Sequence, residues 1–270
     1  MNDNRLKLLE IGAESERRSI AVREYLGAAP GLFWLSGYKS DMKGTKAEAL
    51  ARWAQDAGRA FVRFDYSGHG ESSGAFTDGT IGRWLADSLA VFDACCRGPQ
   101  IIIGSSMGGW LALLIVRALR QRPPPFPPPQ AGEDKEGAPA SVAGLVLVAP
   151  AVDFTEELIW KRLTPAIKRE LEEKGVWERP SEYSPEPYLV TRQLIEEGRN
   201  HLLLGGMIET GCPVRILQGV KDPDVPWRHA VELVSRLASD DVVLTLVKDG
   251  DHRLSRPEDI ERLIRAVAEF

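Results

Sequence analysis

Residues Gly104-Ser105-Ser106-Met107-Gly108 form a G-x-S-x-G pentapeptide. Its flanks constrain the chain more than the five residues do. Ile101-Ile102-Ile103 before it reads as a short buried strand, and Gly109 through Leu119 after it reads as an apolar helix. A strand that turns this sharply into a helix strains the backbone of its central residue, and small neighbours let the two elements approach. The central oxygen is then exposed at the top of a sheet. Ser106 is therefore the candidate nucleophile; the competing reading is an ordinary glycine-rich turn.

The rest of the chain repeats the same rhythm of strand and helix. Strands are expected at Gly31–Leu35, Ala60–Phe64, Leu145–Val148, Val214–Leu217 and Val242–Val247. Helices are expected at Thr45–Ala57, Ile81–Cys95, Trp227–Leu237 and Pro257–Phe270, each with apolar residues three and four apart. Strands separated by helices imply crossover connections, hence an α/β fold with a mostly parallel central sheet flanked by helices. Leu6–Glu10 and Ser19–Tyr25 read as an antiparallel hairpin leading into it.

Two stretches break the rhythm. Arg122–Pro139 carries Pro123-Pro124-Pro125 and Pro127-Pro128-Pro129, which favour extended backbone and cannot build a core. A surface loop within the core domain (122–139) is expected, with a docking peptide as the alternative. The second break, 152–210, replaces strands with helical patterns at Glu156–Leu163, Ala166–Lys174 and Tyr188–Leu204. An insertion near the ligand-binding edge of a parallel sheet reads as a helical cap, or lid, over a core made of 1–151 and 211–270. Its aromatics Trp160, Trp177, Tyr183 and Tyr188 are candidates for the substrate pocket.

Composition narrows the class. A net charge of −5 over 270 residues speaks against nucleic acid as a partner. No apolar run reaches the roughly 20 residues of a membrane span. Met1 to Arg5 shows no apolar targeting segment, and the odd set Cys95, Cys96 and Cys212 fits reduced thiols, so a cytoplasmic location is expected. Cys95 and Cys96 read as helix packing.

A serine hydroxyl needs a base, and the base an orienting acid. Of four histidines, His252 follows the last strand, where an open parallel sheet presents its ligands. His69 precedes the nucleophile and reads as a loop residue near the pocket; His201 reads as surface or packing, and His229 as exposed at a helix start. The acid is sought after Val214–Leu217, where Asp222 is favoured over Asp224. An oxyanion requires two donors. The backbone N–H of Met107, at a helix start, is one; that of Tyr38, in the loop after Gly31–Leu35, is the other.

Several further motifs run in order: Gly37-Tyr38 with Gly44-Thr45-Lys46-Ala47, Arg63-Phe64-Asp65-Tyr66-Ser67-Gly68, Gly98-Pro99-Gln100 leading to the pentapeptide and Gly109-Trp110, Lys174-Gly175-Val176-Trp177, Lys221-Asp222 with Val225-Pro226-Trp227, and Asp251-His252-Arg253. Together they resemble the alpha/beta-hydrolase superfamily over almost the whole chain. Within it they are similar to the subgroup of mitochondrial palmitoyl-protein thioesterases and mycophenolic acid acyl-glucuronide esterases. The resemblance implies an alpha/beta-hydrolase fold, with a small helical cap before the last two strands. It also implies a serine hydrolase working through an acyl-serine intermediate, with Ser106, Asp222 and His252 as its triad. The Pro-rich segment looks longer than the subgroup's connection. No targeting segment matches before Arg5, so the mitochondrial location is not carried over.

The expected substrate is a small-molecule ester or thioester of small to medium acyl chain, with an acylated protein as a second form. No cofactor and no metal are expected, and the sequence sets no oligomeric state. The rival reading is a binding protein of this fold with weak or no turnover; among enzymes it is a peptidase.

Overall fold

Ile101-Ile102-Ile103 forms the middle of a strand because both of its faces are buried. The computed structural model describes residues 6–13, 16–123, 139–180, 187–238 and 240–270. In it, β5 (Pro99–Ser105) lies between β3 (Ala28–Leu35) and β6 (Ser141–Val148) and is parallel to both. Ile102 joins a cluster with Phe33, Leu35, Leu145 and Leu147. Ile101 and Ile103 join another with Leu32, Trp34, Val146 and Val148. Side chains alternate along a strand, so only a continuous apolar run can fill both faces. Each such side chain contributes about 1.5–3 kcal/mol by leaving water.

Among the described residues the main sheet has eight strands in the order β1-β2-β4-β3-β5-β6-β9-β10. The leading hairpin, β1 (Leu6–Ile11) and β2 (Arg18–Tyr25), is antiparallel, and β2 also runs antiparallel to β4 (Arg59–Phe64). From β4 to β9 (Val214–Gly219) and β10 (Val242–Val247) all pairs are parallel. Helices α1 (Thr45–Asp56) and α7 (Pro257–Ala268) cover the Ile101 face. Helices α2 (Ile81–Cys95), α3 (Met107–Arg120) and α6 (Trp227–Arg236) cover the Ile102 face. The parallel sheet wrapped by helices is the alpha/beta-hydrolase fold expected from the sequence.

The insertion between β6 and β9 differs from its helical reading. Thr155–Ile159 forms one wide turn of π-helix, followed by a 3-10 turn at Trp160–Arg162. Helix α4 (Pro165–Lys174) starts at Thr164, whose hydroxyl accepts from the Ile167 N–H, and ends at Gly175 with φ +75°. Next comes a strand the sequence reading did not contain. β7 (Val176–Arg179) pairs antiparallel with β8 (Tyr188–Thr191). The expected helix over Tyr188–Leu204 is therefore shorter. Thr191 caps the chain by accepting the Leu194 N–H, and α5 covers only Arg192–Gly198. Aromatic and β-branched residues at Tyr188, Val190 and Thr191 favour the pleated pairing over a helix.

Both roots of the insertion meet at Asp153. Its φ is +55°. One carboxylate oxygen accepts from Leu203 N–H at 2.9 Å, and the other from Leu204 N–H at 2.8 Å. His229, expected at the surface, is buried: its Nε2 lies 2.9 Å from the Val152 carbonyl oxygen. A contact from the far side of a 77-residue separation turns this helix-start histidine inward. Of the Pro-rich stretch, 124–138 lies outside the described residues. Among those described, no helix is long and apolar enough to cross a membrane.

The close approach of α3 to the sheet requires glycine. A Cβ on Gly104 would lie 2.3 Å from the Gly108 carbonyl oxygen, and one on Gly108 would lie 2.2 Å from that of Leu35. Gly108→Ala is therefore expected to cost about 1–3 kcal/mol through overpacking, read as a fall of roughly 2–5 °C in Tm. Gly205→Ala, with open space around its new Cβ, should leave the melting curve unmoved. Equal Tm values for the two variants would contradict this packing.

Candidate active site

The turn from β5 to α3 places Ser106 at φ 54° and ψ −118°. A residue with a side chain is strained there, and the strain persists only because the surroundings over-determine it. The Ser106 N–H donates to Val148 O at 2.8 Å, while its carbonyl accepts from Gly109 N–H at 2.9 Å and Ala151 N–H at 3.1 Å. The hydroxyl is thereby aimed past the C-terminal ends of the parallel strands.

His252 stands in the loop between β10 and α7, with Leu254 at φ 42° and the Asp251 carboxylate accepting the Leu254 N–H at 2.9 Å. Lys46, from α1, donates from Nζ to the Arg253 carbonyl oxygen and steadies the same loop. The His252 Nε2 lies 3.0 Å from Ser106 Oγ, and its Nδ1 lies 2.8 Å from Asp222 Oδ2. A carboxylate accepts, so Nδ1 carries the proton and Nε2 is left to accept from the serine hydroxyl.

Asp222 is buried, and its side chain is fully engaged. Oδ1 accepts from the N–H groups of Asp224 at 2.9 Å and Val225 at 2.8 Å; Oδ2 accepts from His252 and from Gln218 Nε2 at 3.1 Å. Asp224, the alternative acid, instead pairs with Arg179 of β7 at 2.6 Å. Gln218 was missed by the sequence reading. Its signal was present: a polar residue at the end of a buried strand, fully buried in the structure. Its amide also donates toward the carbonyl oxygens of Gly219 at 3.0 Å and Val225 at 2.9 Å, which orients the side chain beneath the carboxylate.

The loop after β3 abuts the serine. A Cβ on Gly37 would lie 3.4 Å from the Ser106 Cβ. Met107 opens α3, where the first N–H groups have no partner within the helix and the helix dipole favours negative charge. Tyr38 is the next residue of the β3 loop; its hydroxyl donates to the Leu189 carbonyl oxygen of β8, and burial raises that phenol's pKa. His69 lies behind the loop, 4% exposed, with Nε2 accepting the Lys39 N–H at 3.3 Å and Nδ1 3.3 Å from the Ser67 carbonyl oxygen. Burial pushes its pKa down to about 4, against the Ser67 carbonyl and the charges of Asp87 and Asp41, which pull it up.

Ser106 and His252 sit between two cavities, both also lined by Tyr38 and Tyr188. The first, about 80 Å³, is walled largely by Ala151, Phe154, Leu158, Ile159, Val190 and Val225, with Arg179 and Asp224 at its side. The second, about 300 Å³, is polar and runs along Lys39, Ser40, Asp41, Lys46 and Arg253. Of the four cap aromatics, Tyr188 lines both. Trp160 packs under Lys168 and Arg199 instead, at 4.6 and 5.0 Å from ring centroid to cation. Trp177 packs against the core on β7, away from both linings, and Tyr183 lies outside the described residues. Asp222, Asp224 and His252 bring possible metal-ligating atoms within 4.8 Å of one another. Those atoms are already committed to each other, to backbone N–H groups and to Arg179.

Residues 28–263 match the model of the alpha/beta hydrolase family. The mitochondrial palmitoyl-protein thioesterase of Bos taurus is 38% identical over 250 residues, covering 92% of this chain and 75% of the relative. A solved putative hydrolase from Agrobacterium vitis S4 superposes with a TM-score of 0.90 at 49% identity, covering 98% of each chain. The alpha/beta hydrolase domain-containing protein 10 from mouse follows with a TM-score of 0.83 at 35% identity, covering 98% of this chain and 97% of that one.

The depressed pKa of His69 has a defined consequence for stability. The folded state refuses the proton that the unfolded chain accepts near pH 6.5. The stability His69 contributes is therefore complete above pH 6.5 and is lost as the pH falls from there toward about 4. Urea unfolding of the native chain and of His69→Phe at pH 7 and pH 5 should show a smaller loss in the variant. The slope contributed by one such group is at most about 1.4 kcal/mol per pH unit. Identical losses in both proteins would rule the buried neutral imidazole out.

Proposed function

The chain belongs to the alpha/beta hydrolase family, and on that premise we propose that it is a serine hydrolase of carboxylic esters or thioesters. The observation that carries the reading is the continuous relay from Ser106 Oγ through His252 to Asp222, at 3.0 and 2.8 Å. His252 takes the Ser106 proton as the oxygen attacks the acyl carbonyl. The N–H groups of Met107 and Tyr38 hold the oxyanion. The alcohol or thiol leaves with the proton from His252, and water then releases the acyl group from Ser106 by the same path. Asp222 keeps the imidazole in the required tautomer and offsets its positive charge. Apart from the substrate and that water, the groups named in these steps belong to the protein.

The apolar cavity of about 80 Å³ is proposed as the acyl site. It is roughly half the size of an engineered cavity that holds benzene, about 150 Å³. A short acyl group fits it; a long chain would have to leave it. The curated relatives are named for palmitoyl-protein substrates; the preferred acyl length here is proposed to be shorter because the cavity is small. The substrate is proposed to be a small molecule, with a short-chain acylated protein as the second form. Segment 152–210 is read as the lid over a core of 1–151 and 211–270, because β8 supplies Tyr188 to both cavities. A cytoplasmic location is proposed on the three free thiols Cys95, Cys96 and Cys212; the curated relatives are named mitochondrial.

p-Nitrophenyl esters from acetate to palmitate test the whole reading. The native chain should favour acetate to butyrate over palmitate by about tenfold or more in kcat/KM, since a chain too long for the cavity must withdraw from it and give up about 0.8 kcal/mol for each methylene that a short chain keeps buried. Ser106→Ala should lower kcat by on the order of 10⁴-fold or more. Full activity in that variant would remove Ser106 from its role, and a palmitate optimum would overturn the short acyl site.

A further inference from the structure

The 37–40 turn carries the Tyr38 N–H, and something must hold it. Lys39 has φ 55°, a left-handed conformation that a lysine adopts at a cost. Within the turn one hydrogen bond closes the backbone, from Ser40 N–H to Gly37 O at 3.1 Å. Further restraint comes from the cap side, where Tyr38 Oη donates to Leu189 O and Lys39 Nζ donates to Pro187 O at 3.1 Å, and from the segment after β4. Tyr66 Oη donates to Ser36 O at 3.1 Å, and Asp65 Oδ1 accepts the Met42 N–H at 2.7 Å. Those two contacts grip the ends of the loop. His69 grips its crown, at Lys39.

The His69 ring has no freedom to turn away. Its centroid lies 5.5 Å from that of Tyr66, 5.1 Å from Phe76 and 5.2 Å from Trp84. Its two nitrogens face opposite demands. The Ser67 carbonyl can only accept, so Nδ1 must carry the proton; the Lys39 N–H can only donate, so Nε2 must be bare. Only the neutral Nδ1–H tautomer meets both. A protonated ring would set an N–H against an N–H.

Resting on the serine-hydrolase reading above, we infer that His69 is a positioning residue of the reaction. It holds the Lys39 N–H, and through it the 37–40 turn, so that the Tyr38 N–H faces the developing oxyanion. His69 does not touch the substrate or move a proton. Its effect falls on the transition state, because the donor it aims matters most once the carbonyl oxygen has become charged.

His69→Phe fills the same aromatic cage without an acceptor; His69→Gln restores an acceptor. With p-nitrophenyl butyrate at pH 7, His69→Phe should lower kcat by about 10- to 100-fold with KM within about twofold, in the range of losing one oxyanion donor. His69→Gln should recover most of the loss. Affinity for a trifluoromethyl ketone, which forms a charged tetrahedral adduct on the serine, should fall in step with kcat. Unchanged kcat in His69→Phe, or a loss confined to KM, would overturn the assignment. Amide exchange at Lys39, read by NMR on the full chain, decides the same point without turnover. The amide should be protected in the native chain and in His69→Gln and exchange faster in His69→Phe. An unchanged rate in His69→Phe ends the proposal even if hydrolysis is seen. Protection lost as expected, together with no hydrolysis by the native chain, would leave the grip on the turn standing and overturn the reaction instead.

Discussion

The arrangement depends on how near the first turn of α3 comes to β3 and β5. The Gly108 Cα sits so close to Leu35 and Ser36 that no side chain fits between them, and Gly104 is similarly tight against Gly108. That proximity forces the chain to reverse direction within one residue. Ser106 takes the strained conformation, and its oxygen projects above the sheet rather than into it. It also brings the end of β3 beside the start of α3. The Gly37–Ser40 turn and the Met107 N–H then share one small volume. A looser contact would leave the same residues present and the same order along the chain, with nothing converging.

The other two parts reach this volume from strands on one side of the sheet. β9 carries Gln218 as its last residue but one, under Asp222, and β10 leads into the loop that carries His252. Parallel strands end at the same edge, so neighbouring loops meet there without long connections. Each is then locked by local hydrogen bonds: Asp222 by the Asp224 and Val225 N–H groups, the His252 loop by Asp251 and Lys46. The relay is held by backbone as much as by side chains, and this is how groups 146 residues apart keep hydrogen-bonding distance.

The sheet was legible because its central strands are apolar runs with both faces covered, and such runs stand out against the polar loops. The order of Ser106, Asp222 and His252 along the chain was legible for the same reason: each follows a strand. Other features rest on contacts that leave little trace in local sequence. Val176–Arg179 is four residues long, too short for a period of two to be distinguished from a helix. Its partner Tyr188–Thr191 lies beyond a proline-bearing stretch. His229 looks exposed beside Pro226 and Trp227 until Val152 is brought against it. Trp160 and Trp177 looked like pocket walls because large aromatics close pockets and cores alike. Cations on α4 and after α5 claim Trp160, and the core claims Trp177. Of the described cap aromatics named in the sequence reading, Tyr188, on β8, lines both cavities.

Asp153 has a consequence for how such a chain can change over time. The segment above the sheet departs and returns through a single carboxylate, which ties residue 153 to residues 203 and 204. Whatever lies between those points begins and ends in nearly the same place. Chain inserted where two ends already meet leaves the register of the neighbouring strands untouched. The covering segment can thus be rewritten in length and composition while the sheet and its three loops are inherited intact. The inserted segment and the sheet edge become separately heritable parts of one chain.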